Sequence, residues 1–129
     1  MIINTPISLG ELVDKISILK LKLERIPTSE NKNKLIINEL KLLKETLKKS
    51  LSDNKKIKYY LNKLYIINGK LWEYEDSIRE CERQKKFDKK FIKLARKIYI
   101  TNDERAKIKL AINEKFGSQI IEVKSYKKY

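Results

Sequence analysis

The sequence predicts an all-α protein, an antiparallel bundle of three longer helices followed by two shorter ones. Three observations carry this. Apolar residues recur at alternating spacings of three and four along most of the chain. Two Ser/Thr-x-x-Glu capping boxes, at Ser8 and Thr101, mark helix starts. Only 3 Gly and 2 Pro interrupt 129 residues, which argues against a turn-rich β-sandwich or barrel. The length fits one domain over residues 1–129, ending in a short basic tail at 118–129.

The first helix opens at Ser8-Leu9-Gly10-Glu11, where the Ser8 hydroxyl can accept from the Glu11 N–H and the Glu11 side chain can reach back. Leu12, Ile16, Leu19, Leu23 and Ile26 form its stripe, and Pro27 stops it. Thr28 and Ser29 offer the next N-cap. Ile36, Leu40, Leu43, Leu47 and Leu51 follow, then a turn at Ser52-Asp53-Asn54. The third stripe is Ile57, Tyr60, Leu64, Ile67, Leu71, Tyr74, Ile78 and Cys81. Asn68-Gly69 normally signals a turn, but the stripe keeps its phase across it, so one helix runs from about 55 to 85. Gly69 then permits a close helix approach or a kink. Asp88 caps a short fourth helix with Phe91, Leu94, Ala95 and Ile98 inward. Thr101-Asn102-Asp103-Glu104 opens a fifth, with Ile108, Ala111, Ile112 and Phe116 inward and Gly117 as its stop. Gln119 to Val123 reads as a brief extended segment.

Composition excludes several chemistries. There is no His, which removes Ser-His-Asp and Cys-His catalysis and His-ligated metals. Cys81 is the single cysteine, so no internal disulfide or multi-cysteine zinc site forms, and its place on the apolar stripe makes it a buried thiol. No Walker loop or dinucleotide fingerprint is present, and the sequence calls for no cofactor and no resident metal. No apolar run reaches the roughly 18–20 residues of a membrane span, and the N-terminus lacks a signal-peptide pattern. A cytoplasmic protein is expected. The net charge of +14 suggests an anionic partner. However, the basic residues are 26 Lys against 5 Arg, beside 19 Ile and 9 Asn, the usage of an A/T-rich genome. Arg, the better reader of phosphates and bases, is scarce. Residues 54–129 carry 21 basic and 10 acidic side chains, so an anion-binding surface belongs to the second half.

Four groups of residues are candidates for chemistry. On the third helix, Asn68, Trp72, Glu75, Asp76 and Arg79 share a face: Arg79 can hold an anion, Trp72 offers an aromatic plane, and Glu75 or Asp76 can act as a base. The same pattern also describes a surface helix with ordinary ion pairs. At the start of the fifth helix, Asn102, Asp103, Arg105, Lys109 and Asn113 form a polar face able to close over a phosphate or carboxylate, or simply a well-capped solvated helix. Lys85 to Lys97 holds seven basic residues and one acid, a short basic amphipathic stretch for nucleic acid or an anionic membrane surface, which codon usage also explains. The carboxylate pairs Glu11/Asp14 and Glu73/Asp76 resemble the Mg²⁺-binding pairs of all-α nucleotide pyrophosphohydrolases, a weak signal in a chain with 17 acids. The tail, with Lys124 and Tyr126, either folds over a site or frays in solvent.

Four segments together resemble a small bacterial and phage family classed as a domain of unknown function. They are Pro6 to Leu19 (PISLGELVDKISIL), Leu71 to Arg79 (LWEYEDSIR), Thr101 to Lys109 (TNDERAKIK) with Ile112-Asn113, and Lys124-Ser125-Tyr126 with Tyr129. The resemblance runs nearly end to end and implies a setting near surface-polysaccharide and glycosyltransferase genes, without an established reaction. Its segments are the polar ones, which favours a site gathering Arg79, Arg105, Lys109 and Lys124 around carboxylates and Trp72. The expected function is binding of an anionic small molecule, a phosphorylated sugar or nucleotide sugar, in surface-glycan metabolism. Whether the protein is an enzyme stays open. The rival is a non-enzymatic module that docks a glycosyltransferase or self-associates. A nucleic-acid binder and a metal-dependent pyrophosphohydrolase rank below both.

Overall fold

The Ser8 hydroxyl accepts from the Glu11 N–H at 3.1 Å and opens α1, Leu9–Arg25. Ser29 caps α2, Glu30–Ser50, accepting from the Lys32 N–H at 3.3 Å. α3 runs unbroken from Lys55 to Arg83, through Asn68 and Gly69. Asp88 caps α4, Lys89–Phe116, taking the N–H groups of Lys90 and Phe91, and left-handed Gly117 (φ 67°) closes it. The computed structural model describes residues 1–27, 29–52 and 55–129, so the expected Thr28 cap and Asp53-Asn54 turn lie outside the described residues.

The helices are four, not five. The expected fourth and fifth helices are one helix of 28 residues, and Thr101 is buried in its interior. The reason is phase. Leu94, Ile98, Thr101, Arg105, Ile108 and Ile112 continue the same 4-3-4-3-4 stripe, so Thr101 is a small inward residue where a cap was expected. The two short helices expected at the end are therefore the two halves of the second-longest helix. The extended segment at 119–123 forms no strand.

α1 lies at the centre and packs against each of the other three helices, while among the described residues α2 packs against α1 alone. α3 and α4 form an antiparallel hairpin: Tyr60 meets Phe116 at 6.2 Å, and Lys97 lies over the Tyr74 ring. α1 runs antiparallel to α4, with Gly10 beside Asn113 and Asp14 beside Arg105. The core gathers Leu12, Val13, Ile16 and Leu19 of α1 with Ile36, Leu40 and Leu47 of α2, Ile57 and Leu64 of α3, and Ile112 of α4. Cys81 is a buried free thiol. No helix is long and apolar enough to cross a membrane.

Candidate functional site

Because α1 is covered on several sides, it buries polar residues that a single stripe does not predict. Asp14 and Ser17 have no exposed surface. An isolated carboxylate there would be prohibitively costly, so it is fully engaged. Arg105 donates from Nε to Asp14 Oδ1 at 2.9 Å and from Nη2 to Oδ2. Asn68 Nδ2 donates to Asp14 Oδ1 at 2.9 Å and to Ser17 Oγ at 2.8 Å. Three helices thus meet at one carboxylate. The hydrogen bonds to Asp14 raise the Arg105 pKa, against the opposing effect of burial.

One turn further along α4, Lys109 is 8% exposed. Its Nζ donates to Glu11 Oε2 at 2.6 Å and lies 3.3 Å from Glu122 and 4.0 Å from Asp14. The Glu11 carboxylate, expected to reach back to its own cap, is turned to Lys109 instead. Asn113, also buried, accepts the Gly10 N–H at 2.7 Å. Burial disfavours charge on Lys109, but Glu11 and Asp14 outweigh it and its pKa is raised. The Lys109 ammonium lowers the pKa of Glu122. A raised lysine contributes stability that is complete below its unfolded pKa of 10.5 and is lost as pH climbs through the folded value. A lowered carboxylate contributes stability present above 4.5 and lost as pH falls through the folded value. Melting temperature followed across pH should therefore decline at both ends, and Lys109→Met should flatten the alkaline limb. An unchanged alkaline limb in that variant would refute the assignment.

Beside this hub lies a groove of about 440 Å³ between α1, α3 and α4. Ile18, Leu21 and Leu71 give it an apolar floor, Asn68 its base, and Trp72, Glu75, Asp76, Arg79, Asn102 and Arg105 its walls. The α3 face read from sequence and two residues of the polar α4 face, Asn102 and Arg105, are here on one concavity. Their states differ. Glu75 is bound by Arg79, an exposed pair four residues apart, and Arg105 is committed to Asp14 through Nε and Nη2. Asp76, the Trp72 indole N–H and the Asn102 amide have no partner among the described residues.

The remaining expected site residues fall elsewhere. Lys109, Asn113 and Lys124 line a separate small cavity of about 190 Å³ with Glu122. Asp103, Lys124 and Tyr126 line a third cavity with Asn102, described below. The four basic residues expected around one ligand are thus divided: Arg79 and Arg105 at the groove, Lys109 and Lys124 outside it. The tail is neither frayed nor laid across the groove. It runs back along α4, held by Glu122 on Lys109 and by the Tyr129 hydroxyl, which donates to Asp103 at 2.7 Å. The carboxylate pairs do not converge. Glu11 and Asp14 serve α4, Glu73 pairs with Arg25, and among the described residues no three Asp, Glu or Cys side chains gather as metal ligands. The basic stretch Lys85 to Lys97 spans the tip of the α3–α4 hairpin and the start of α4, and none of its residues lines the groove.

Sequence reasoning missed Asp14 and Ser17 as the buried hub. A signal was available: α1 carries apolar residues all round, with Val13, Ile18 and Leu21 off the stripe, which marks a helix buried on more than one side.

The fold and groove define a helical bundle with a polar-walled concavity beside a buried ionic hub. The chain belongs to DUF6165, a family of unknown function, whose profile matches residues 3–129. The four segments quoted above resemble a family of this kind, and the match covers the same nearly complete length. No curated protein and no solved structure matches the chain.

Proposed function

We propose that the α1–α3–α4 groove binds a small sugar-bearing anion, a phosphorylated sugar or nucleotide sugar, in surface-glycan metabolism in the cytoplasm. One observation carries the reading: three polar groups without partners, Trp72, Asp76 and Asn102, face one groove over an apolar floor. That combination suits a hydroxylated ring, with its apolar face on the indole and its hydroxyls shared between a carboxylate and an amide. Arg79 and the Nη1 of Arg105 supply positive charge at the rim. Asp76, unpaired, is the better-placed base if the protein is an enzyme; Glu75 is occupied by Arg79.

A thermal-shift screen against sugar phosphates, nucleotide sugars and nucleotides tests this. A true ligand at 100 times its Kd adds about 2.7 kcal/mol of stability. That shift should vanish in Asp76→Asn and weaken in Arg79→Ala, both of which should melt like the wild type without ligand. Absence of any shift across the panel would reject the groove as a site.

A second reading, an interaction module, has its own support. Among the described residues α2 packs only on α1, and Leu35, Ile37 and Leu42 are exposed on it. Light scattering during size exclusion should then show a dimer that Leu42→Glu dissociates. A monomer at all concentrations leaves only a different protein as partner.

A further inference from the structure

We infer that the ligand is bipartite, a sugar carried on a nucleoside diphosphate, with the sugar in the groove and the nucleoside under the C-terminal tail. The inference rests on the groove reading above and goes on to choose between its two ligand classes.

The tail and α4 border the third cavity, an open one of about 460 Å³, lined by Tyr99, Asn102, Asp103, Lys124, Tyr126, Lys127 and Tyr129. Asn102 lines this cavity and the groove, so the two are neighbours across one side chain. Their chemistries divide. The groove offers an indole, an unpaired carboxylate and an amide, and both its arginines are already paired. The tail cavity offers aromatic rings and cations. Its one carboxylate, Asp103, is taken by the Tyr129 hydroxyl. Lys127 has no partner among the described residues, and Lys124 is held only by Glu122 at 3.5 Å and by the Tyr126 ring. Phosphate therefore belongs with Lys124 and Lys127, with the Asn102 amide at the junction.

A sugar monophosphate would fill the groove and reach the lysines, leaving three tyrosine rings unused. Tyr99 and Tyr129 already stand edge to face at 5.4 Å, which leaves ring faces for a third aromatic group. Tyr126 is 78% exposed, with Lys124 over its ring. Stacking on such rings accepts any base, since every base has a π-face. The tail cavity should thus be tolerant of base identity, and the groove should set sugar identity.

Calorimetric titration tests this with UDP-glucose, UDP-N-acetylglucosamine, GDP-mannose and dTDP-glucose, the matching sugar 1-phosphates, and UDP and GDP. At least one nucleotide sugar should bind about tenfold or more tighter than its sugar 1-phosphate. Tyr126→Ala, at an exposed position, should weaken the nucleotide sugar and the free nucleoside diphosphate about tenfold and leave the sugar 1-phosphate unchanged. Asp76→Asn should weaken both the nucleotide sugar and the sugar 1-phosphate and spare the free nucleoside diphosphate. Equal binding of sugar 1-phosphate and nucleotide sugar, both indifferent to Tyr126→Ala, would overturn the nucleoside assignment while the groove reading stands. No binding by any member of the panel would overturn both.

Discussion

Asp14→Ala is expected to cost about 3–5 kcal/mol, the range for removing one partner of a buried charge pair. The carboxylate is wholly buried and receives Arg105 and Asn68, so its loss leaves the guanidinium without its acceptor and Asn68 Nδ2 with Ser17 Oγ alone. Arg105 keeps some contact with water, its side chain being 27% exposed, which favours the lower end of that range. Lys109 retains Glu11 and Glu122 and should hold its place. Against a total stability of about 5–15 kcal/mol for a domain, this is a large fraction. Urea denaturation followed by circular dichroism measures it. The double variant Asp14→Ala/Arg105→Ala should cost little more than the worse single variant, because the two act as one unit. Additive losses, or a single loss under about 1 kcal/mol, would show that the pair is not the hub described here.

Two glycine-to-alanine changes should move stability in opposite directions. At Gly10 an added Cβ would lie 2.5 Å from the Lys109 carbonyl oxygen and 3.0 Å from Asn113 Oδ1. The first obstacle is backbone, so α1 and α4 must part, straining the Gly10–Asn113 hydrogen bond and the Asp14–Arg105 pair a turn away. Forcing extra volume into such a contact costs about 1–3 kcal/mol, and Gly10→Ala should fall at the top of that range. At Gly69 the nearest atom is Arg25 Nη2 at 3.3 Å, the end of a flexible side chain. There the gain in helix propensity of about 1 kcal/mol should prevail, and Gly69→Ala should be neutral or stabilising. Parallel thermal melts of both variants decide it. A stable Gly10→Ala would mean that the two helices do not touch as closely as described.

The difference between these glycines shows what the sequence makes legible. Gly69 sits in an uninterrupted stripe, so helix continuity could be read through it. Gly10 looked like part of a cap, and its role depends on where the backbone of a residue 99 positions later lies. The same limit explains the fifth helix that does not exist. Thr101-x-x-Glu104 has the composition of a capping box, but Thr101 also stands in phase with Ile98 and Ile108. Phase outweighs local signature when the residue is small enough to be buried. The groove face of α3 was legible because Trp72, Glu75, Asp76 and Arg79 share a period of one helix. The Glu75–Arg79 pair was legible as well, from its i, i+4 spacing; the Asp14–Arg105 pair was not, since those two become partners only through tertiary packing.

The central position of α1 also orders events during synthesis. Its polar contacts reach far along the chain: Asp14 to Arg105 spans 91 residues, Gly10 to Asn113 spans 103, and Leu9 to Ser118 spans 109. Helical proteins usually fold fast because their contacts are local. Here α1 waits for α4, the last of these four helices to be made. Until α4 emerges, Asp14 has no guanidinium to receive it and must stay hydrated, so α1 cannot settle into its final place. Completion of this fold therefore waits for α4, and depends on the meeting of two helices whose paired residues lie 91 to 103 positions apart.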